Sequence, residues 1–157
     1  MDIKPIECSD VVALVQAIFD NMLQLPCEAA DTQSDDLART EERLVGCVQI
    51  QGDWVGAVEI STPLNFGRKA AGAMLMVPVE DVSMEDIQDT IAELSNMVGG
   101  SIKAILPGQS TLSLPSVASG QGLDFKLANV VHTQSIALRS DDTDFSVSIR
   151  HFDAATA

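Results

Sequence analysis

The sequence predicts an α+β domain in which an antiparallel sheet carries its helices on one face. Three observations carry this. Ile87, Ile91, Leu94, Val98, Ile102 and Ile105 form one apolar stripe at helical spacing between a capping signal and Pro107-Gly108. Phe145, Val147 and Ile149 alternate with Ser146, Ser148 and Arg150, the pattern of a strand with one buried and one wet face. The order of elements is helix, hairpin, helix, then long helix, strand, hairpin, which points to two related halves over roughly residues 1–80 and 81–157.

Each element follows from local chemistry. In 9–25, Val11, Leu14, Val15, Ile18, Met22 and Leu25 define an amphipathic helix. Ser9 is its expected cap, and Pro26 turns Leu25 away from helical dihedrals. Residues 28–42 are polar without a clear period and read as a loop or short surface segment. Residues 44–60 alternate as a hairpin about a Gly52-Asp53 turn. A second helix spans 64–76, with Pro63 at its start and Pro78 beyond its end. The helix over 83–106 opens with Ser83-Met84-Glu85-Asp86, a capping box with Asp in the usual Glu position, and is roughly 36 Å long at 1.5 Å per residue. It is the expected central helix. Thr111 to Ala118 reads as one short strand and 119–122 as a loop. Residues 127–139 and 145–152 form a second hairpin about Ser140-Asp141-Asp142-Thr143.

Composition narrows the function. The 157 residues fit one domain, taken as 1–157, and suffice for an ordinary core. Nine basic against 23 acidic residues give a net charge of −14, which disfavours nucleic acid and anionic membranes as partners. Cys8, Cys27 and Cys47 show no metal-ligand spacing and lie in apolar runs, so three reduced, buried thiols are expected. The chain opens without a secretory signal pattern, and its apolar runs are too short to span a bilayer, which predicts a cytoplasmic protein. His132 and His151 fall in separate strands and read as structural. Asp141 to Asp144 lack the spacing of a calcium loop. Acidic residues 81, 85, 86 and 89 suit the dipole at the start of the long helix. Nucleophile-elbow, zinc-protease, phosphate-loop and dinucleotide motifs do not occur.

The long helix has an unusual polar side. Asp89, Glu93, Asn96 and Gly100 share the face opposite the apolar stripe. Asn is a poor helix former, and Gly99-Gly100 mid-helix costs about 1 kcal/mol per glycine relative to alanine. A carboxylate and a carboxamide one turn apart, beside missing side chains, resemble a docking tooth. The bland alternative is a wet helix face with glycines that admit a neighbour on the core side.

Residues Glu93-Leu94-Ser95-Asn96-Met97-Val98-Gly99-Gly100-Ser101-Ile102-Lys103 resemble the Glu-x-x-Asn helix of the CheX/CheC/FliY chemotaxis phosphatases. Residues 15–23 also resemble the opening helix of CheX. Ser101 departs from the family's usual Asn, and a single Glu-x-x-Asn copy is similar to CheX rather than to the two-copy CheC. The resemblance implies a CheC-like fold and a phosphatase acting on the aspartyl phosphate of a CheY-like receiver domain. Asn96 would orient the attacking water, Glu93 would pair with the receiver's lysine, and Asp89, Met97, Gly99 and Gly100 would contact the partner. The chain would need no cofactor of its own, because the Mg²⁺ belongs to the receiver. The competing expectation is a non-catalytic interaction module of the same fold, as in the flagellar switch. A homodimer is expected to use an edge strand such as 145–152.

Overall fold

A computed structural model describes residues 6–30, 42–121 and 129–153. In chain order these form α1 (Cys8–Met22), β1 (Glu28–Ala29), β2 (Arg43–Gly52), β3 (Gly56–Pro63), α2 (Leu64–Leu75), a 3₁₀ turn (Val79–Asp81), α3 (Met84–Ile105), β4 (Ser110–Leu112), β5 (Ser116–Gly120), β6 (Val130–Ser140) and β7 (Thr143–Phe152). The strands make one antiparallel sheet in the order β1-β6-β7-β3-β2-β4, with β5 also paired to β2. The fold is α+β, as the sequence predicts. The hairpins β2–β3 and β6–β7 meet through their second strands, Val58 opposite Ile149, as a two-fold relation between the halves requires.

The helices pack on one sheet face over a shared core. Val11, Val15, Ile18 and Phe19 of α1 meet Leu44, Val48, Val58 and Ile60 from the sheet and Ile87, Ile91, Leu94 and Val98 of α3. Phe19, Phe66 and Phe145 stack with centroids 5.1–6.0 Å apart, tying α1, α2 and β7 together. The predicted capping box closes reciprocally: Asp86 N–H donates to Ser83 Oγ and Ser83 N–H to Asp86 Oδ2, each at 3.0 Å. The β6–β7 hairpin turns through Asp141 and Asp142 at φ 49° and 61°, the left-handed pair of a two-residue hairpin turn that aspartate tolerates. Lys69 of α2 pairs with Asp141.

Several local expectations change. Strand 143–152 lies inside the sheet between β6 and β3, so it offers no edge to a second copy. Helix α1 starts at Cys8, so Glu7 rather than Ser9 takes the N-cap position, without a side-chain cap. The chain leaves α1 at Met22, ahead of Pro26, with Gln24 at φ 55°. Glu28–Ala29 is a two-residue strand on β6 rather than loop. The predicted strand 111–118 is two strands, β4 and β5, and Gly120 belongs to β5 rather than to a loop. Residues 122, 127 and 128 of the predicted loop and hairpin lie outside the described residues, as do 31–41 of the polar segment.

Cys8 is exposed, in the first turn of α1, while Cys27 and Cys47 are buried. Burial pushes the Cys27 thiol up to about 11, helped by Asp20. Burial likewise takes Cys47 to about 11, with Glu59 adding to the shift and Arg150 opposing it. Thiolate is the reactive form, so a raised pKa leaves both inert at neutral pH. A thiol reagent such as Ellman's is expected to titrate Cys8 alone in the native protein and all three cysteines after unfolding. Rapid native modification of two or more would contradict the packing.

Candidate functional site

Helix α3 turns eight residues inward: Ile87, Thr90, Ile91, Leu94, Ser95, Val98, Gly99 and Ile102 are buried. The opposite face carries Glu85, Asp89 and Glu93, all exposed, with Asn96 and Gly100 half-buried beside them. The predicted face is therefore formed, and Glu93 and Asn96 stand one turn apart on it. Among the described residues, no hydrogen bond or ion pair engages the side chains of Asp89, Glu93 or Asn96.

Close packing beneath the helix sets the orientation of this face. A Cβ on Gly46 would overlap Ser95 Oγ and lie 2.9 Å from Ile91 Cγ2, so β2 and α3 touch through glycine and serine. Ser95 Oγ turns back to donate to Ile91 O at 2.7 Å, which satisfies a hydroxyl with no access to water. Gly99 is the second contact: a Cβ there would overlap Val48 Cγ2. Gly99 thus faces the sheet rather than a partner, and its missing side chain serves the close approach of α3 to β2. Gly100 differs, because the nearest atom to a Cβ there is Leu112 Cδ2 at 4.0 Å. That side of the helix is open one turn after Asn96. Met97 is half-buried and packs against the core, reaching the surface only in part.

His132, His151, Glu59 and Arg150 lie in the sheet strands, apart from the α3 helix. His132 and His151, assigned to separate strands, are register partners across β6 and β7, and the His151 ring stacks on Trp54 at 5.2 Å. Arg150, which alternation places on the wet face of its strand, forms with Glu59 a partly buried, bidentate pair on the sheet face away from the helices, at 3.0 and 3.2 Å. Among the described residues, no group of three His, Cys, Asp or Glu side chains is placed to hold a metal ion. No helix among them is long and apolar enough to cross a membrane.

An antiparallel sheet with its helices on one face is the architecture of the CheC-like class of domain. Solved structures share that fold. CheX from Vibrio vulnificus superposes with a TM-score of 0.75 at 20% identity, covering 91% of this chain and 94% of its own. CheX in a CheX–CheY–BeF₃–Mg²⁺ complex from Borrelia burgdorferi gives 0.62 at 13%, covering 92% and 97%. The FliM middle domain from H. pylori gives 0.53 at 5%, covering 92% and 87%. The model of the family "Chemotaxis phosphatase CheX" matches residues 44–139, well over half of the chain and including Glu93 and Asn96. The chain belongs to the CheX family. No curated protein matches its sequence.

Proposed function

We propose that this chain dephosphorylates the aspartyl phosphate of a CheY-like receiver domain, with Asn96 orienting the attacking water and Glu93 anchoring the receiver. The observation that carries the reading is the pair itself: a carboxylate and a carboxamide one turn apart on one helix face, without a partner among the described residues, with open space at Gly100. Membership of the CheX family and the CheX–CheY complex of a structural neighbour support it.

Phosphoryl transfer to water asks for positioning and charge neutralisation rather than covalent chemistry. The Asn96 carboxamide can accept a hydrogen bond from the water through its oxygen while its NH₂ donates elsewhere. It brings no negative charge toward the phosphoryl group. Water attacks phosphorus in line, the bond from phosphorus to the receiver's aspartate oxygen breaks, and the aspartate leaves as carboxylate. The water's proton goes to the released phosphate. The Mg²⁺ that neutralises charge is bound by the receiver. Glu93 pairs with the lysine beside the receiver's phosphate, and Asp89, Met97 and Gly100 form the contact around it. Gly99 acts from beneath, by seating the helix.

The test is Mg²⁺-dependent phosphate release from a panel of phosphorylated receiver domains. Wild type is expected to accelerate release from at least one of them. Glu93→Ala is expected to raise KM about tenfold, the equivalent of about 1.4 kcal/mol of docking energy. The likeness to the FliM middle domain favours a second reading, a non-catalytic interaction module. Binding of a phosphorylated receiver without any acceleration would establish that reading instead.

A further inference from the structure

We propose that Leu114 is an apolar anchor for the partner domain that docks on α3. The inference rests on α3 being the receiver-docking helix, and it adds a specificity-determining residue that the Glu-x-x-Asn pair does not supply.

The position follows from strand register. Leu112 of β4 pairs with Ile50 of β2, and Ser116 of β5 pairs with Cys47. Ser113 N–H donates to Gln49 O, so Ser113 stands opposite Gln49. Two residues, Leu114 and Pro115, are then left opposite Val48 alone. This is a β-bulge, an arrangement that re-aims side chains at sheet edges. Pro115 suits it, having no N–H to give the ladder. Val48 is also the residue against which Gly99 of α3 packs. The bulge therefore flanks α3 at the level of Gly99, and Asn96 lies three residues back, about 4.5 Å along the axis. Leu112, two residues before Leu114, supplies the atom nearest to a Cβ on the open side of Gly100.

Leu114 is 89% exposed. Its surroundings hold it there. Gln49 N–H donates to Ser113 Oγ at 2.9 Å, Ser113 N–H to Gln49 O at 2.9 Å, and Ser113 Oγ to Leu114 O at 3.0 Å. A proline follows. Both strands of the bulge are tied to β2, so the leucine is presented on a fixed backbone and loses little freedom when covered. A standard interface buries about 800 Å² per partner, a disc of roughly 16 Å radius, so a receiver docked on Asn96 covers elements that flank α3 as well as α3 itself. A few residues carry most of an interface's energy, where neighbouring contacts shut water away from them. Asp89, Glu93 and Asn96 lie to one side of the leucine on α3, and the occupant is the CheY-like receiver proposed to dock on that helix.

The experiment compares wild type, Leu114→Ser and Leu114→Met for phosphate release and for binding of the BeF₃-activated receiver. Because the side chain is solvent-exposed, neither substitution is expected to move the melting temperature, which is checked first. Leu114→Ser is expected to raise KM and Kd by roughly tenfold, with kcat at saturation unchanged, and Leu114→Met to stay near wild type. Unchanged KM and Kd in Leu114→Ser, with wild type active, overturn the anchor and leave the phosphatase reading standing. Binding that Leu114→Ser weakens, without catalysis by wild type, supports the anchor and overturns the phosphatase. Loss of self-association in Leu114→Ser with receiver affinity intact assigns the leucine to a second copy of this chain and overturns the proposal, as does a wild type that binds no receiver.

Discussion

Asn96→Ala is expected to lower kcat for receiver dephosphorylation about 100-fold or more while leaving receiver affinity within a few-fold of wild type. The asymmetry follows from the geometry. Asn96 is half-buried on the face of α3 that also carries Glu93, and among the described residues its side chain makes no hydrogen bond. Removing it breaks nothing in the fold, and alanine is the better helix former, so stability should hold or rise slightly. What is lost is a carboxamide that can accept from a water and donate elsewhere in one fixed orientation. Asn96→Asp keeps the shape and adds a negative charge toward a phosphoryl group that is already anionic, so it should fall at least as far. The measurement is single-turnover phosphate release at saturating protein, with affinity for the BeF₃-activated receiver alongside. Full activity in Asn96→Ala would remove the residue from the chemistry. Full activity in Asn96→Asp alone would show that acceptance from the water matters and charge does not.

The part of this face that was legible in the sequence is the part governed by local periodicity. The stripe from Ile87 to Ile102, the Ser83–Asp86 box and the exposure of Asp89 and Glu93 all follow from a 3.6-residue repeat and a capping signal, and all are present. Gly99 was harder, since it sits at the border of the stripe, where the repeat cannot say which side a missing side chain serves. The answer came from Val48, 51 positions away in the chain. Pro115 is a readable signal: a proline inside a predicted strand argues for a break or bulge, and a break is what separates β4 from β5. The sheet order was not legible, because pairing β7 with β3 joins segments some ninety residues apart, and no local pattern distinguishes a central strand with one wet-looking face from an edge. The exposure of Cys8 turned on where α1 begins, a matter of one residue.

Arg150 shows what alternation alone conceals. Val58-Glu59-Ile60 and Ile149-Arg150 read as buried-wet-buried and buried-wet, yet Glu59 is only 6% exposed. On the face away from the helices, Arg150 Nε and an Nη hydrogen donate to the two Glu59 carboxylate oxygens at 3.0 and 3.2 Å, across the β3–β7 junction. Arg150 is itself the more exposed partner, at 23% of its side chain. Arg150→Met is expected to destabilise the protein by about 3 kcal/mol, because it leaves a carboxylate buried without its counter-charge. For a chain of this size that is roughly 6–12 °C in Tm. Replacing both partners, Glu59→Val with Arg150→Met, should restore most of the loss, since β-branched and apolar residues suit a pleated surface and no charge is then stranded. Thermal unfolding of the two single variants and the double variant closes the cycle. A single variant that melts with wild type would mean that water reaches Glu59 and the pair is worth little. The expected outcome, large singles and a mild double, makes the pair a specificity device. It fixes the register in which the two hairpins meet, and that register positions β2, the strand on which α3 and its Glu-x-x-Asn face are seated.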